Sequence, residues 1–333
     1  MDIKTLTPEQ AAGQRILPGF NGLELNDSLR FLIDTLKVGG LILFKRNIES
    51  PNQVTDLCHQ AHAFAKACGQ PPLFIAIDQE GGTVARLPPP FTRIPGASEL
   101  ASPEEAADYA KITASELSRI GVNMNFAPVM DIAPKNFPSV MAKRSYGDTP
   151  FRVSAMGCEV IRTLQDTNIL AVAKHFPGIG RTTLDSHLDR PVFDTERQAL
   201  EDFDLIPFKS AIETGVSGIM LSHILYNRID PNWPASLSPV IANEILRKDL
   251  KYDGLVMTDD VDMGAIQKYY DMETVIGQAD LAGIDLVLIC HEGPDQESAF
   301  RHFLRMVGEK PIPETTDGSL ERIFRAKARY LAW

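Results

Sequence analysis

The sequence predicts one α/β domain over residues 1–333, a single (β/α)8 TIM-like barrel with its active site at the C-terminal ends of the strands. Three observations lead there. Eight short apolar runs of strand length recur along the chain. Helical patterns separate most of them, and strands that alternate with helices build a parallel sheet. Several of the runs end in Asp, His, Lys or Asn, and a barrel gathers such strand ends on one face. The competing architecture is a doubly wound open sheet. No Gly-x-Gly-x-x-Gly follows an early strand to support it.

Taken in order, Thr7 and Pro8 mark a helix start, the first as cap and the second in the first turn. Residues 16–20 form the first strand candidate, interrupted by Pro18 and Gly19. Residues 39–44 are a clearer strand that ends in Lys45, Arg46 and Asn47. Ser50 and Pro51 then open a helix that runs to Gly69. Residues 73–77 make the next strand, ending at Asp78, and Ser102-Pro103 opens another helix. Further strands are expected at 123–129, 169–173, 218–221, 254–257 and 285–289. The tail from Glu314 to Trp333 reads as one amphipathic helix that closes the domain. No linker composition, low-complexity tract or fixed-period repeat divides the chain.

Composition narrows the classes of function. An apolar fraction of 44% suffices for a large core. No apolar run approaches the roughly 18 residues of a membrane span. Residues 1–5 lack the basic and apolar regions of a secretory leader. Cys58, Cys68, Cys158 and Cys290 show no zinc-finger spacing and suit the reduced thiols of a cytoplasmic protein. A net charge of −11 with no run of Lys or Arg makes nucleic acid and anionic membrane poor partners.

Two stretches carry most of the chemistry. Residues 169–173 are a buried strand with Lys174 and His175 at its end, followed by a turn rich in Pro and Gly. Beyond it, Asp185 and His187 stand two residues apart. A carboxylate at that distance can orient the imidazole and raise its pKa. By itself, Asp-x-His also describes an ordinary polar loop. The second stretch is Thr258-Asp259-Asp260-Val261-Asp262-Met263. Its three carboxylates could bind a hard cation or sit in a solvated loop, but by themselves they read first as a helix start, where acidic side chains are favoured.

Read together, these stretches resemble glycoside hydrolase family 3, in its β-N-acetylglucosaminidase branch. Lys174-His175-Phe176-Pro177-Gly178-Ile179-Gly180 followed by Asp185-Ser186-His187 is similar to the family's acid/base segment. Val256-Met257-Thr258-Asp259-Asp260 resembles its nucleophile segment. Asp78 to Arg86 and Lys143-Arg144-Ser145-Tyr146-Gly147 resemble two sugar-binding segments. The matches run in family order over roughly residues 13 to 290. Many relatives have His where this chain has Ile179, and Arg where it has Thr83. The resemblance implies that Asp259 is the nucleophile and His187 the general acid/base, partnered by Asp185. It implies sugar contacts for Asp78, Arg86, Arg144, Lys174 and His175, with Asp131 and His223 in supporting places.

The implied chemistry is retaining hydrolysis, which needs a carboxylate nucleophile and an acid/base on opposite sides of the anomeric carbon. A histidine titrates near neutral pH and suits the second task. The implied activity is an exo-acting β-N-acetylglucosaminidase of the cytoplasm. It would remove terminal N-acetylglucosamine from muropeptides such as GlcNAc-1,6-anhydroMurNAc, without metal or organic cofactor and without an obligate protein partner. Alternatives are a family 3 β-glycosidase or N-acetylglucosaminide phosphorylase of other specificity, a metal-dependent hydrolase using His175, His187 and Asp259 as ligands, and a sugar-binding protein without catalysis.

Overall fold

The computed structural model describes residues 3–183, 190–308 and 314–331. Eight parallel strands, β1 (Ile16–Pro18), β2 (Gly40–Leu43), β3 (Phe74–Ile77), β4 (Met124–Asn125), β5 (Leu170–Phe176), β6 (Gly218–Leu221), β7 (Leu255–Asp260) and β8 (Leu286–Ile289), pair in sequence order. β1 also pairs with β8. On its other side the Gly39 amide donates to the Ile16 carbonyl at 3.1 Å, and Gly19 bridges Ile42, which brings the two ends of the sheet together. The result is the (β/α)8 barrel expected from the sequence.

All eight expected strands are present. Two of them are longer than their apolar runs. β5 continues through Lys174 and His175, and β7 continues through Thr258, Asp259 and Asp260. Apolarity marks the part of a strand inside the barrel, so it stops short where the strand enters the site. The helices Pro51–Ala67, Pro103–Arg119 and Pro150–Asp166 share one start: a Ser or Thr cap (Ser50, Ser102, Thr149) accepts a backbone N–H, and Pro fills the first turn. Thr7 and Gln10 add a reciprocal capping box at Pro8–Gly13.

Alternation along the strands divides the core into two clusters. Leu17, Ile42, Phe74, Ala76, Met124, Leu170, Val172, Met220, Leu255, Met257, Leu286 and Leu288 fill the barrel. Ile16, Leu41, Ile75, Ala171, Ile219, Val256 and Val287 belong to the second cluster, with the residues of the outer helices. The helix Glu314–Tyr330 packs Leu320, Ile323 and Phe324 against the barrel-filling cluster. All four cysteines are unpaired. Among the described residues no helix is long and apolar enough to cross a membrane.

Candidate active site

The period-two alternation that fills the barrel also builds its mouth. Phe74 and Ala76 point inward on β3, and the next residue in phase is Asp78. Leu170 and Val172 lead in the same way to Lys174, Met220 to Ser222, and Leu255 and Met257 to Asp259. All four of these residues line one cavity of about 280 Å³. Arg86, Arg144 and His175 line it as well. The register of β5 against β6 shifts between Ala173 and Phe176, and both Lys174 and His175 reach the cavity.

A buried ion network holds the floor of this cavity. The Lys174 ammonium lies 2.7 Å from Asp78 Oδ1 and 2.6 Å from Glu80 Oε1, and the lysine side chain is only 2% exposed. Arg144 grips Glu80 with two nitrogens, Nε at 2.9 Å and Nη2 at 2.7 Å. Arg86 donates to Asp78 Oδ2 at 3.1 Å. Burial acts to raise the Asp78 carboxyl, but Lys174 and Arg86 outweigh it and hold the group well below the usual carboxylate range. Glu80 behaves alike: burial opposes ionisation, and Lys174 with Arg144 overcomes it. Two carboxylates and three cations are thus fixed in their charged forms before any ligand arrives.

His175 is set by Asp131. Its Nδ1 lies 2.7 Å from Asp131 Oδ2, and Asp131 Oδ1 accepts the Ile179 amide at 2.8 Å. With Nδ1 donating to the carboxylate, Nε2 faces Arg144 Nη2 at 3.4 Å. Asp259 ends its strand on the same cavity. Burial raises its carboxyl, yet His175, His223 and the Asp260 amide together bring it below the ordinary value. The amide contact is 2.8 Å long. An ionised, desolvated carboxylate at a rigid strand end has the properties of a nucleophile. His223 sits behind it, with Nε2 donating to the Asp260 carbonyl at 2.8 Å and Nδ1 2.7 Å from the Ser236 hydroxyl.

The structure therefore brings Asp78, Arg86, Arg144, Lys174, His175 and Asp259 to one cavity, with Asp131 and His223 supporting them. Asp185 and His187 lie outside the described residues. Sequence reading assigned no role to Glu80 and did not single out Ser222. Both were accessible to it through the period-two phase of β3 and β6. The apolar part of the lining, Val84, Val140, Met141, Ile179 and Ile224, comes from loops and carried no such signal.

Asp260, Asp262 and His291 form the one group of metal-ligand spacing among the described residues, with ligand atoms within 4.8 Å of one another. It includes neither His175 nor Asp259. Its carboxylates already have protein partners: Asp260 Oδ1 accepts the Asp262 and Cys290 amides, and Asp262 Oδ2 accepts the His291 amide. Burial and the Asp262 charge push the Asp260 carboxyl up to about 6.

Residues 9–326 match the glycosyl hydrolase family 3 N terminal domain. The chain belongs to glycoside hydrolase family 3. A β-hexosaminidase of Alkalilimnicola ehrlichii is 36% identical to this family 3 chain over 296 residues, covering 86% of this chain and 83% of its own. A family 3 β-N-acetylglucosaminidase from a Paenibacillus species superposes with a TM-score of 0.94 at 40% identity over 98% of this chain. This chain spans 63% of that longer protein. A β-N-acetylhexosaminidase from Beutenbergia cavernae superposes with a TM-score of 0.88 at 28% identity, over 97% of this chain and 99% of its own. This family 3 protein is accordingly a glycoside hydrolase, and its cavity lies at the C-terminal ends of the strands, where (β/α)8 enzymes carry their active sites.

Proposed function

We propose that the protein is a retaining exo-β-N-acetylglucosaminidase, with Asp259 as nucleophile and the Asp185–His187 pair as acid/base. The observation that carries this reading is Asp259: half-buried, below its ordinary pKa and open to a cavity whose floor is a preformed ion network. Asp78, Arg86, Arg144, Lys174 and His175 grip the hydroxyls of one terminal sugar. The cavity's size, about 280 Å³, favours a single ring and hence exo action. Asp259 then attacks the anomeric carbon as His187 protonates the departing oxygen. Water, activated by the neutral imidazole, releases the sugar from Asp259. No step calls for a metal or an organic cofactor.

The names of the hexosaminidase relatives support an amino sugar at the non-reducing end. The narrower substrate, N-acetylglucosamine linked to a 1,6-anhydro-muramoyl product of the cell wall, rests on the resemblance of the segments 174–187 and 256–260. A cytoplasmic location is supported by the four unpaired cysteines. The near end-to-end match to the Beutenbergia chain supports residues 1–333 acting as one catalytic domain.

The test is turnover of a chromogenic N-acetylglucosaminide and the matching glucoside, side by side, each with and without phosphate. The reading predicts the N-acetylglucosaminide as the preferred substrate. Acceleration by phosphate, with a sugar phosphate as product, would move the assignment to a phosphorylase. Equal turnover of both sugars would make the protein a β-glycosidase of broader specificity. The same assay tests His187. His187→Ala should lose far more activity on a disaccharide than on an aryl glycoside with an acidic phenol, because protonation matters most for a poor leaving group. Equal losses would assign His187 a binding role. Asp185→Ala should move the limb of the pH profile set by His187 to lower pH, since the imidazolium loses a stabilising charge.

A further inference from the structure

We infer that Ser222 is a specificity-determining residue, whose hydroxyl hydrogen-bonds the 2-acetamido group of the bound sugar. The inference deepens the reading above and rests on it for the identity of the sugar. Ser222 follows Met220 in the inward phase of β6 and lines the cavity alongside Asp78, Lys174 and Asp259. Its backbone is fully engaged. The amide donates to the Phe176 carbonyl at 2.9 Å, and the carbonyl accepts the Ser236 amide at 2.9 Å. These two bonds fix the side chain toward the barrel mouth.

The residue is 2% exposed, and its hydroxyl oxygen accepts no hydrogen bond among the described residues. The Tyr226 phenol stands nearby and gives its own proton to the Gly178 carbonyl at 2.9 Å, so toward Ser222 it can only accept. A buried oxygen without a donor is costly, and a ligand N–H that supplies one recovers that cost. The cavity onto which it opens is the place from which a partner can come.

Its position in the barrel decides which part of the sugar it meets. Asp259, on β7, must lie beneath the anomeric carbon to act as nucleophile. Asp78 on β3 and Lys174 on β5 hold the opposite side of the ring. β6 lies between β5 and β7, so Ser222 stands on the flank of the ring next to the anomeric carbon. The segment after β5 packs against the segment after β6 through the Phe176–Ser222 and Gly178–Tyr226 bonds, which puts Ile179 and Ile224 on this same flank. Both line the cavity. Two substituents adjoin the anomeric carbon, the ring oxygen and the group on C2. Of these, only an acetamide presents an amide and a methyl together. A hydroxyl set among isoleucines matches that pair: Ser222 for the amide, Ile179 and Ile224 for the methyl.

Calorimetric titration of wild type and Ser222→Ala with N-acetylglucosamine and with glucose, alongside melting curves, tests this. The wild type should prefer N-acetylglucosamine. Ser222→Ala should weaken N-acetylglucosamine binding about tenfold and leave glucose binding unchanged. The melting temperature should hold or rise, since the alanine buries no unpaired polar group. Equal losses for both sugars, unchanged binding of N-acetylglucosamine, or a wild type that does not distinguish the two would overturn the inference. Binding is read without turnover. A wild type that binds N-acetylglucosamine selectively yet cleaves no N-acetylglucosaminide would defeat the proposed activity and leave the role of Ser222 standing.

Discussion

Lys174 is the residue on which the charged end of the site depends. Among the described residues it alone touches both Asp78 and Glu80, and all three side chains are largely buried. Removing one member of a buried ion cluster leaves the others without compensation, at a cost of about 3–5 kcal/mol. Lys174→Ala should therefore lose stability on that order, as well as activity. The loss should depend on pH. In the wild type, Asp78 and Glu80 are held below their ordinary values, so their ionised forms add stability above a pH of about 4, and this is lost as the pH falls through their folded values. In the variant, burial remains while the Lys174 charge is gone, and the carboxyls shift upward. The gap between the two proteins should be widest at neutral pH and narrow toward pH of about 4. Urea denaturation of both across that range measures it; a constant gap would mean that the lysine acts through packing alone. At this scale the sequence was informative where a polar residue directly followed an apolar run, as at Asp78 and Lys174. Glu80 lies in phase with Asp78, but its role was not legible from the phase alone, because its partners lie 64 and 94 positions away in Arg144 and Lys174.

Strand ends and the turns beyond them position the functional groups. The turn after β5 shows why two of its residues are glycine. Gly178 has φ of +122°, a conformation that side chains rarely adopt. Gly180 packs so tightly that an added Cβ would lie 1.7 Å from the Ile132 carbonyl oxygen. The same turn is tied down by Asp131 at the Ile179 amide and by an ion pair between Arg181 and Asp204. Gly180→Ala must displace backbone on one side or the other. It should destabilise the protein by roughly 1–3 kcal/mol and lower kcat/KM at least tenfold, because the turn leads directly from His175 toward His187. Thermal denaturation together with aryl-glycoside kinetics checks both effects, and a fully active variant would show that the turn does not set the geometry of the site. The Pro and Gly content revealed this turn in the sequence. The lengths of β5 and β7 were not legible there, since Lys174-His175 and Asp259-Asp260 are strand residues with the composition of a loop.

Across the whole molecule, stability and chemistry occupy opposite ends of the barrel. The helix Glu314–Tyr330 packs against the barrel-filling cluster and carries the fully buried Lys327. Its amine is 2.5 Å from Gln14 Oε1, 2.8 Å from the Gly39 carbonyl and 2.7 Å from the Pro72 carbonyl, groups that precede β1, β2 and β3 in turn. Burial pushes the amine well below the usual lysine range. Lys327→Met keeps the volume but removes the donor to Gln14 Oε1 and the Pro72 carbonyl, so it should cost on the order of 3 kcal/mol while kcat and KM stay at their wild-type values. Denaturant midpoints and kinetics on one preparation would separate the two; a matching fall in kcat would link the two faces. The barrel itself was legible in the sequence because short apolar runs recur eight times, most of them separated by helical patterns. The helix was legible by its amphipathic pattern, whereas the buried lysine within it looks like any other charge on that pattern.

Retaining hydrolysis on this barrel requires that Asp259 attack the sugar. A fluorinated glycosyl donor, whose second step is slow, should accumulate on the enzyme as a covalent adduct. Peptide mass spectrometry after digestion should place that adduct on Asp259, and Asp259→Ala should acquire none while keeping its fold. An adduct on Asp260 or Asp262, or stoichiometric labelling of Asp259→Ala, would contradict the assignment.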